Sequence, residues 1–279
     1  GIYLPELPEV ETIRRTLEVM VLGKTIEDVE VRWGKIIKEP DDTELFRLFL
    51  KGQTIQEIGR RGKFLIFYLD DYSLVSHLRM EGKYGLFDKS EEMDKHTHVI
   101  FKFTDGTELR YRDVRKFGTM HLYPKGTEQD VLPLSKVGPE PFSDEFTPEH
   151  LEAGLKKTHR FIKTVLLDQR LLAGLGNIYV DEALFHAGIH PERPASSLDK
   201  EEIQRLYAAI KTTLAEAIEK GGSTIRSYVN SQGQIGMFQL ELFAYSRKGQ
   251  PCKTCSTIME RIIVGGRGTV YCPSCQKRG

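Results

Sequence analysis

The chain has 279 residues, 39% of them hydrophobic, which is enough for a buried core and for two domains with a small appendage. Forty basic residues balance forty acidic ones, so net charge gives no support for a nucleic-acid partner, and any such surface must be a local patch. No apolar run approaches the roughly eighteen residues of a membrane span, and the first residues lack a signal-peptide pattern, which predicts a cytoplasmic protein with no membrane partner.

The N-terminal half reads as a helix followed by strands. Between Pro8 and Gly23, four apolar residues recur at helical spacing: Val10, Ile13, Leu17 and Met20. From Thr25 to Tyr123 the chain consists mostly of short β-prone runs split by turn signals, with a short helix at 42–50. The clearest runs are 63–69, 74–77, 98–104 and 119–123. This pattern predicts a two-layer β-sandwich of antiparallel strands with flanking helices.

Helical patterns dominate the second half. Five prolines lie between Pro124 and Pro148, a composition that resists both helix and central strand, and we predict a linker at 136–148. Helical spacing then recurs at 149–156, 161–168, 179–187 and 200–220. The predicted fold class is α+β, with an N-terminal domain at 1–135, a helical domain at 149–244 and a small metal-binding domain at 245–279.

All four cysteines lie in the last segment, as Cys252-x-x-Cys255 and Cys272-x-x-Cys275 separated by sixteen residues. Paired knuckles of this kind in a cytoplasmic chain predict one tetrahedral structural Zn²⁺. Between the pairs, β-prone residues flank the glycine-rich turn 265–268, which predicts a hairpin with Arg267 at its tip. Residues 246–279 contain seven basic residues and one acidic residue, a net charge of +6 that suits a phosphate backbone.

Each remaining motif has an ordinary structural explanation when it is considered alone. Prolines and acids at 5–9 are typical of a helix start, a basic turn at 59–63 is typical of solvated surface, and glycines at 174–176 are typical of helix ends. Taken together, and in this order along the chain, the motifs are far more specific. They are PELPEVE, RRGKF, SHLRMEG, YRDVRKFG, LGNIYVDE, GGSTIRSYVNSQG and the cysteine pairs around GRGT. The sequence resembles the formamidopyrimidine-DNA glycosylase family along nearly its whole length.

The resemblance implies a fold and a chemistry. It implies a catalytic β-sandwich, a helix-two-turn-helix DNA-binding domain and a β-hairpin zinc finger, acting as a monomer on double-stranded DNA that contains oxidised purines such as 8-oxoguanine and formamidopyrimidines. It further implies base-excision repair near the nucleoid, with base removal followed by β,δ-elimination through a Schiff base on the N-terminal proline, here Pro5. Glu6 is then the acid/base partner, and Lys63 contacts a phosphate near the lesion or assists base release. Arg267 is grouped with these three as catalytic.

The resemblance also assigns DNA and lesion contacts. Met80, Arg115 and Phe117 match the trio that fills the gap left by the extruded nucleotide, while Asn177 and Arg267 match the clamps on its flanking phosphates. His77, Tyr245 and Arg261 are further DNA-binding candidates. In the family a lid caps the flipped base, and the polar segment 221–236 matches it. The lesion-pocket candidates are Glu81, Thr224, Ile225, Arg226 and Tyr228.

The chain begins with Gly1–Leu4, whereas the family pattern begins at the proline. A Pro5 nitrogen that is acylated by Leu4 is a tertiary amide without a usable lone pair. A rival interpretation is therefore a lesion-recognising DNA-binding protein without lyase activity. A third is a zinc-ribbon module that binds RNA or acts in transcription, which explains the cysteines and the basic tail but leaves Glu6, the gap-filling residues and the lid without a role. In place of Leu7, the sister family of endonuclease VIII has glycine, so Leu7 favours the purine-specific branch.

Overall fold

The computed structural model describes residues 5–231 and 241–279, and for 222–231 it describes the backbone alone. The described residues fall into two compact units. The first contains 5–135 together with 220–231, and the second contains 136–219 together with 241–279. Among the described residues, no helix is both long enough and apolar enough to cross a membrane.

Two sheets form the first unit. One contains β1 (Ile26–Val31), β6 (Lys83–Asp88), β7 (Thr97–Phe103) and β8 (Thr107–Arg112), hydrogen-bonded in the order β1-β7-β8-β6 with every pair antiparallel. The other contains β2 (Ile37–Glu39), β3 (Glu57–Arg61), β4 (Phe64–Tyr68), β5 (Tyr72–His77) and β9 (Thr119–Pro124), in the order β2-β9-β5-β4-β3. Only the β2–β9 pair is parallel among these described strands.

The core of this unit lies between the sheets. Phe101 and Leu109 of the first sheet belong to the same buried cluster as Leu65 and Leu122 of the second. The helix α1 (Leu7–Val21) adds Val10, Leu17 and Val21, which repeat on one face of the helix. The helix α2 (Thr43–Leu50) begins where the Asp42 carboxylate accepts hydrogen bonds from the next turn and buries Phe46 and Leu50. The predicted two-layer sandwich with flanking helices is confirmed.

Helices dominate the second unit. They are α3 (Pro148–Lys156), α4 (Ile162–Leu166), α5 (Asn177–Ala187) and α6 (Lys200–Ser231), the last of which ends among residues grouped with the first unit. The strands β10 (Glu260–Val264) and β11 (Arg267–Tyr271) form an antiparallel hairpin. The predicted α+β class with a C-terminal hairpin is therefore also confirmed.

The structure differs from the sequence expectation in three local features. The helix expected to stop at Lys220 continues to Ser231 through Gly221–Gly222, so the start of the expected lid has helical backbone. Glycine lowers helix stability by about 1 kcal/mol but does not by itself end a helix. The helix expected at 161–168 has only five residues. The hairpin turn is Gly265–Gly266 alone, because Arg267 already pairs with Val264 as the first residue of β11.

Candidate functional site

The start of α1 holds Pro5 and Glu6. Pro5 is half-buried, and Glu6 is the N-cap residue, with only 1% of its surface exposed. The Glu6 backbone N–H donates to Oε1 of Glu9 at 2.9 Å, which closes a capping box and fixes the direction in which the chain enters the helix. A carboxyl group therefore sits in a buried, fixed position beside the proline.

One turn further along α1, Glu11 links the helix to the turn that contains Lys63. Its Oε1 accepts from Arg60 Nε at 3.0 Å, and Arg60 also donates to the carbonyl of Gly62 at 3.1 Å. Burial raises the pKa of Glu11, but hydrogen bonds and charge from Arg14 and Arg60 outweigh burial and hold this pKa at about 2. Lys63 follows Gly62 in the tight β3–β4 turn, so the Glu11–Arg60 pair ties this turn to the helix that begins at Glu6.

His77 ends β5 beside this turn. Its ring lies edge-on to Phe64 with the centroids 4.6 Å apart, and its Nδ1 accepts the backbone N–H of Arg79 at 3.0 Å. Burial, with the positive charges of Arg79 and Lys63, lowers the pKa of His77 to about 3. The imidazole is therefore neutral at pH 7, and because Nδ1 is an acceptor the proton is on Nε2, which can donate to a phosphate oxygen.

Two loops carry the expected gap-filling residues. Met80 and Glu81 lie in a turn that is closed by the Gly82 N–H donating to the Leu78 carbonyl at 3.0 Å. Arg115 and Phe117 lie in the loop 113–118, where Phe117 is 54% exposed despite its apolar ring. The loops approach each other, because Arg115 Nε lies 4.0 Å from Oε1 of Glu81. The two loops together thus supply an exposed phenylalanine, a half-buried methionine and an arginine, which are side chains that can enter a base stack.

In the second unit, the β10–β11 hairpin presents Arg267 directly after its turn. Gly265 and Gly266 adopt φ of +56° and +80°, which two-residue turns of this kind require, and the Arg267 side chain is exposed. Arg261 lies across the hairpin, with its guanidinium next to Gly268. Asn177, the first residue of α5, donates from Nδ2 to the Gly268 carbonyl at 3.1 Å. This contact brings the two proposed phosphate clamps, Asn177 and Arg267, to one place.

A buried ion pair fixes β11 behind Arg267. Lys163 Nζ lies 2.9 Å from Asp181 Oδ1, and both side chains are almost fully buried. The same ammonium donates to Thr269 Oγ1 at 2.7 Å and to the Gly268 carbonyl at 3.2 Å, while Asp181 Oδ2 accepts the Val270 N–H at 3.2 Å. Burial raises the pKa of Asp181 to about 6, and the Lys163 charge opposes that rise.

Glu182 fixes the segment that contains Tyr245. Its carboxylate accepts the backbone N–H groups of Phe243, Ala244 and Tyr245 at 2.6, 2.7 and 2.9 Å. Sequence reasoning assigned no role to Asp181 or Glu182, although both lie in the motif LGNIYVDE. The available signal was a pair of acids in a helix that is otherwise mostly apolar. Such a helix is buried on most of its faces, and buried acids need hydrogen-bond donors from other segments.

The four cysteines form the metal centre. Their Sγ atoms all lie within 4.8 Å of one another, with Cys255–Cys272 at 3.5 Å and Cys252–Cys275 at 3.9 Å. Four thiolates at 2.3 Å from a tetrahedral Zn²⁺ are separated by about 3.8 Å, so the cluster fits one zinc ion. Backbone N–H groups of Thr254 and Cys275 donate to Sγ atoms of Cys252 and Cys272, as in zinc knuckles.

The remaining lesion-pocket candidates, Thr224, Ile225, Arg226 and Tyr228, have backbone within α6, but their side chains lie outside the described part of the chain. Residues 232–236 of the expected lid also lie outside it. Of the five lesion-pocket candidates, only Glu81 has its side chain in the described part of the chain.

Three family models match the chain in order. They are the formamidopyrimidine-DNA glycosylase N-terminal domain over residues 4–120, the corresponding H2TH domain over 137–229, and the zinc finger found in FPG and IleRS over 249–278. The third match and the cysteine geometry together show one structural zinc site.

Similar proteins agree over the whole length. Formamidopyrimidine-DNA glycosylases of Shouchella clausii and Bacillus subtilis are 66% and 62% identical over 275 residues, which is 99% of this chain and 100% of each relative. A Lactococcus lactis FPG mutant in complex with a Fapy-dG containing DNA superposes with a TM-score of 0.90 at 42% identity, covering 98% of this chain and 100% of that one. Lactococcus lactis Fpg with an abasic site containing DNA gives 0.89 at 43% identity, covering 98% and 99%. The chain belongs to the formamidopyrimidine-DNA glycosylase family.

Proposed function

We propose that this protein removes oxidised purines from double-stranded DNA and then cleaves the resulting abasic site by β,δ-elimination, using Pro5 as the nucleophile. The observation that carries the proposal is the buried, fixed Glu6 carboxyl directly after Pro5, in a chain more than 60% identical to formamidopyrimidine-DNA glycosylases. We further propose that it acts as a monomer in the bacterial cytoplasm, on chromosomal DNA.

In the first step the Pro5 nitrogen lone pair attacks C1′ of the damaged nucleotide, and the bond from C1′ to the base breaks. The Pro5 nitrogen loses its N–H proton as the new bond forms, and the departing base takes up a proton, so the two proton transfers balance. Glu6 then gives its proton to the sugar ring oxygen as the ring opens, and the Pro5 nitrogen and C1′ become a positively charged Schiff base. A secondary amine suits this role because it is a nucleophile when neutral, and once its single N–H proton is lost it forms an iminium whose positive charge cannot be removed by deprotonation of the nitrogen.

The Schiff base makes the neighbouring sugar protons acidic. Loss of a C2′ proton expels the 3′ phosphate, and loss of a C4′ proton then expels the 5′ phosphate. Water hydrolyses the iminium, releasing the sugar fragment and the free amine. Lys63, in the turn that Arg60 and Glu11 tie to α1, supports these steps by binding a phosphate beside the lesion.

The gap-filling residues serve the step before chemistry. Extrusion of a nucleotide leaves unstacked bases, at a cost of a few kcal/mol. Met80 and Phe117 offset this cost by occupying the gap, and Arg115 donates to the base that has lost its partner. Glu81 and the residues Thr224, Ile225, Arg226 and Tyr228 then contact the extruded purine.

The phosphate clamps belong to the second unit. Arg267 can fork onto two phosphate oxygens, and Asn177 lies next to it through the Gly268 carbonyl. Arg261 and Tyr245 lie on the same hairpin and on the segment that leads to it, and His77 supplies a neutral N–H donor in the first unit. The zinc ion, when bound, stabilises the finger and takes no part in bond breaking.

The test is borohydride trapping on a duplex with 8-oxoguanine opposite cytosine, with the adduct located by peptide mapping and the protein's N-terminus sequenced. We expect an adduct on Pro5 in protein whose first residue is Pro5. Trapping at a lysine instead, or excision by protein in which Gly1 is retained, would contradict the assignment of Pro5.

Gly1–Leu4 favours a second candidate function, because a chain that keeps these residues has an acylated Pro5 nitrogen. Such a chain would recognise the lesion without cutting the strand. Tight binding of the lesion duplex with neither excision nor adduct, in protein that begins with Gly1, would establish this second function.

A further inference from the structure

We propose that Tyr111 and Asp113 are positioning residues that lock the two gap-filling loops to each other, and that this lock determines how well the protein extrudes a paired lesion. The inference rests on the proposed function, since it concerns the placement of Met80, Arg115 and Phe117. Neither Tyr111 nor Asp113 contacts DNA in the proposed mechanism.

Asp113 organises the loop that carries Arg115 and Phe117. It is completely buried, and its two carboxylate oxygens accept three backbone N–H groups of that loop, from Arg115, Lys116 and Gly118, at 3.2, 3.0 and 2.8 Å. The Asp113 backbone carbonyl also contacts Nε2 of the buried His98 at 2.7 Å. A carboxylate with this many donors holds a short irregular loop in one conformation.

The Tyr111 hydroxyl joins this loop to the loop that carries Met80. It donates to Oδ2 of Asp113 at 2.8 Å and packs against two glycines, one in each loop. A β-carbon on Gly118 would lie 1.7 Å from this hydroxyl oxygen, and one on Gly82 would lie 2.6 Å from it. Any larger residue at either position would displace the hydroxyl, so both loops are fitted around one buried oxygen atom.

The hydroxyl remains a donor at every physiological pH. Burial, followed by the negative charge of Asp113, raises the pKa of Tyr111 far above its ordinary value. Tyr111 lies near the end of β8, in the middle of a sheet, and its side chain is fully buried. The lock is thus anchored in the rigid sandwich, and both loops take their position from it.

Preorganisation of this kind matters only when the gap must be filled. Gap-filling side chains that the scaffold already holds in place lose little conformational entropy when they enter the base stack. Gap-filling side chains on loosened loops must become ordered as they enter the stack, which slows extrusion of a base that is still paired. A lesion with no opposite base is unpaired, so its extrusion depends much less on the gap-filling residues.

The test compares Tyr111→Phe with Tyr84→Phe. Tyr84 is a suitable control because it is equally buried, lies 5.2 Å from Tyr111 between ring centroids, and has its own hydroxyl contact to Ser76 at 2.6 Å. Single-turnover excision is measured on 8-oxoguanine opposite cytosine and on 8-oxoguanine opposite a tetrahydrofuran abasic residue. We expect Tyr111→Phe to slow excision at least about tenfold opposite cytosine and much less opposite tetrahydrofuran, and Tyr84→Phe to change both rates alike.

Equal slowing of Tyr111→Phe on both duplexes, or no slowing on either, would overturn the proposal. If the wild-type protein excises from neither duplex, the proposed function itself fails, and that result is distinguishable because it appears without any substitution. Fluorescence of 2-aminopurine beside the lesion should show the same selective delay in extrusion.

A DNA-free measurement tests the lock independently of activity. Trp33 is the only tryptophan in the sequence, and the Lys116 ammonium of the Asp113 loop lies 3.8 Å from its ring centroid. Asp113→Asn replaces an acceptor with an NH₂ group that faces backbone donors, so the loop and Lys116 should move and Trp33 emission should change. Unchanged emission in a folded Asp113→Asn protein would contradict the lock, and Tyr84→Phe should leave the emission as in the wild type.

Discussion

At the scale of single residues, the buried glutamates at the start of α1 and in its first turns have different tasks, and the first prediction concerns Glu6. Glu6→Gln keeps the shape of the side chain but removes the acidic proton proposed for ring opening. We expect excision of 8-oxoguanine to fall at least about a hundredfold, because a positioned acid/base contributes on this order, while lesion-duplex affinity stays nearly unchanged. Single-turnover excision and fluorescence anisotropy would measure the two effects.

Glu18→Gln is the matched control for this substitution, since Glu18 lies on the same helix, is 43% exposed, and forms its ion pair with Arg14, away from Pro5. It should excise at the wild-type rate. Full glycosylase activity in Glu6→Gln would remove Glu6 from the mechanism.

The second prediction concerns Glu11, whose pKa lies at about 2 in the folded protein against an ordinary value of 4.5. A carboxyl group with a lowered folded-state pKa stabilises the fold above its unfolded pKa, and this contribution is lost as pH falls from 4.5 towards 2. We expect Glu11→Gln to lower the free energy of unfolding by about 2–3 kcal/mol at pH 7, and by progressively less below pH 4.5.

Urea unfolding of both proteins at pH 7, 5 and 3.5 measures this difference. Glu18→Gln, at an exposed position, should cost less than about 1 kcal/mol throughout. A Glu11→Gln deficit that is the same at all three pH values would show that packing, and not charge, gives Glu11 its effect.

The roles of the metal ligands could be predicted from the sequence, whereas those of Asp113 and Asp181 could not. The spacing of Cys252 and its three partner cysteines predicts a metal site, because the coordination geometry restricts how far apart the ligands can lie in sequence. Asp113 and Asp181 have no such spacing. Asp113 accepts from backbone N–H groups two to five residues further along, which almost any residue type supplies, and the partners of Asp181 are brought to it only by folding. Burial of a charged side chain distinguishes them. For Asp181 the apolar helix around it was the available signal of burial, whereas Asp113 lies in a loop whose sequence has no such signal.

At the scale of elements, sequence patterns located the helices and strands with errors at their ends. The α2 start follows from Asp42 as a capping residue, and the β4 run follows from consecutive apolar residues. The end of α6 was wrong because Gly221–Gly222 was interpreted as a break, whereas the helix continues for eleven residues past Lys220. Helix ends depend on tertiary packing as well as on local propensity.

The third prediction concerns the hairpin turn. Gly266 has φ of +80°, and a β-carbon there would meet no atom within 4 Å, so any effect of substitution comes from backbone strain and not from a clash. Gly266→Ala should cost about 1 kcal/mol and shift Arg267, which lowers affinity for the lesion duplex severalfold.

Gly266→Asn is the matched variant, because asparagine adopts positive φ more readily than alanine and should retain more of the affinity. Anisotropy titrations at one fixed salt concentration would measure all three proteins. Equal affinities for Gly266→Ala and the wild type would show that the turn does not place Arg267.

At the scale of the whole molecule, the arrangement of a sandwich, a helical domain and a metal-bearing hairpin followed from the sequence, because each part has its own periodicity or spacing. The unit to which residues 220–231 belong could not be predicted from the sequence. Residues 220–231 continue a helix of the second unit but group with the first, and a linear sequence pattern cannot show such a return. The Tyr111–Gly82 contact and the Lys163–Asp181 pair share this property, since each joins segments that are distant in sequence.

The last prediction concerns zinc. The finger has only a small buried cluster, in which two of the zinc ligands, Cys252 and Cys272, take part, whereas the sandwich has a large core of its own. Removal of zinc should therefore unfold the finger and leave the sandwich folded. Arg267 and the Asn177–Gly268 contact would lose their support, so affinity for the lesion duplex should fall at least about tenfold. Calorimetry, anisotropy and metal analysis before and after chelation would measure these changes, and added zinc should reverse them. Unchanged affinity after verified zinc loss would show that the metal does not hold Arg267 in place.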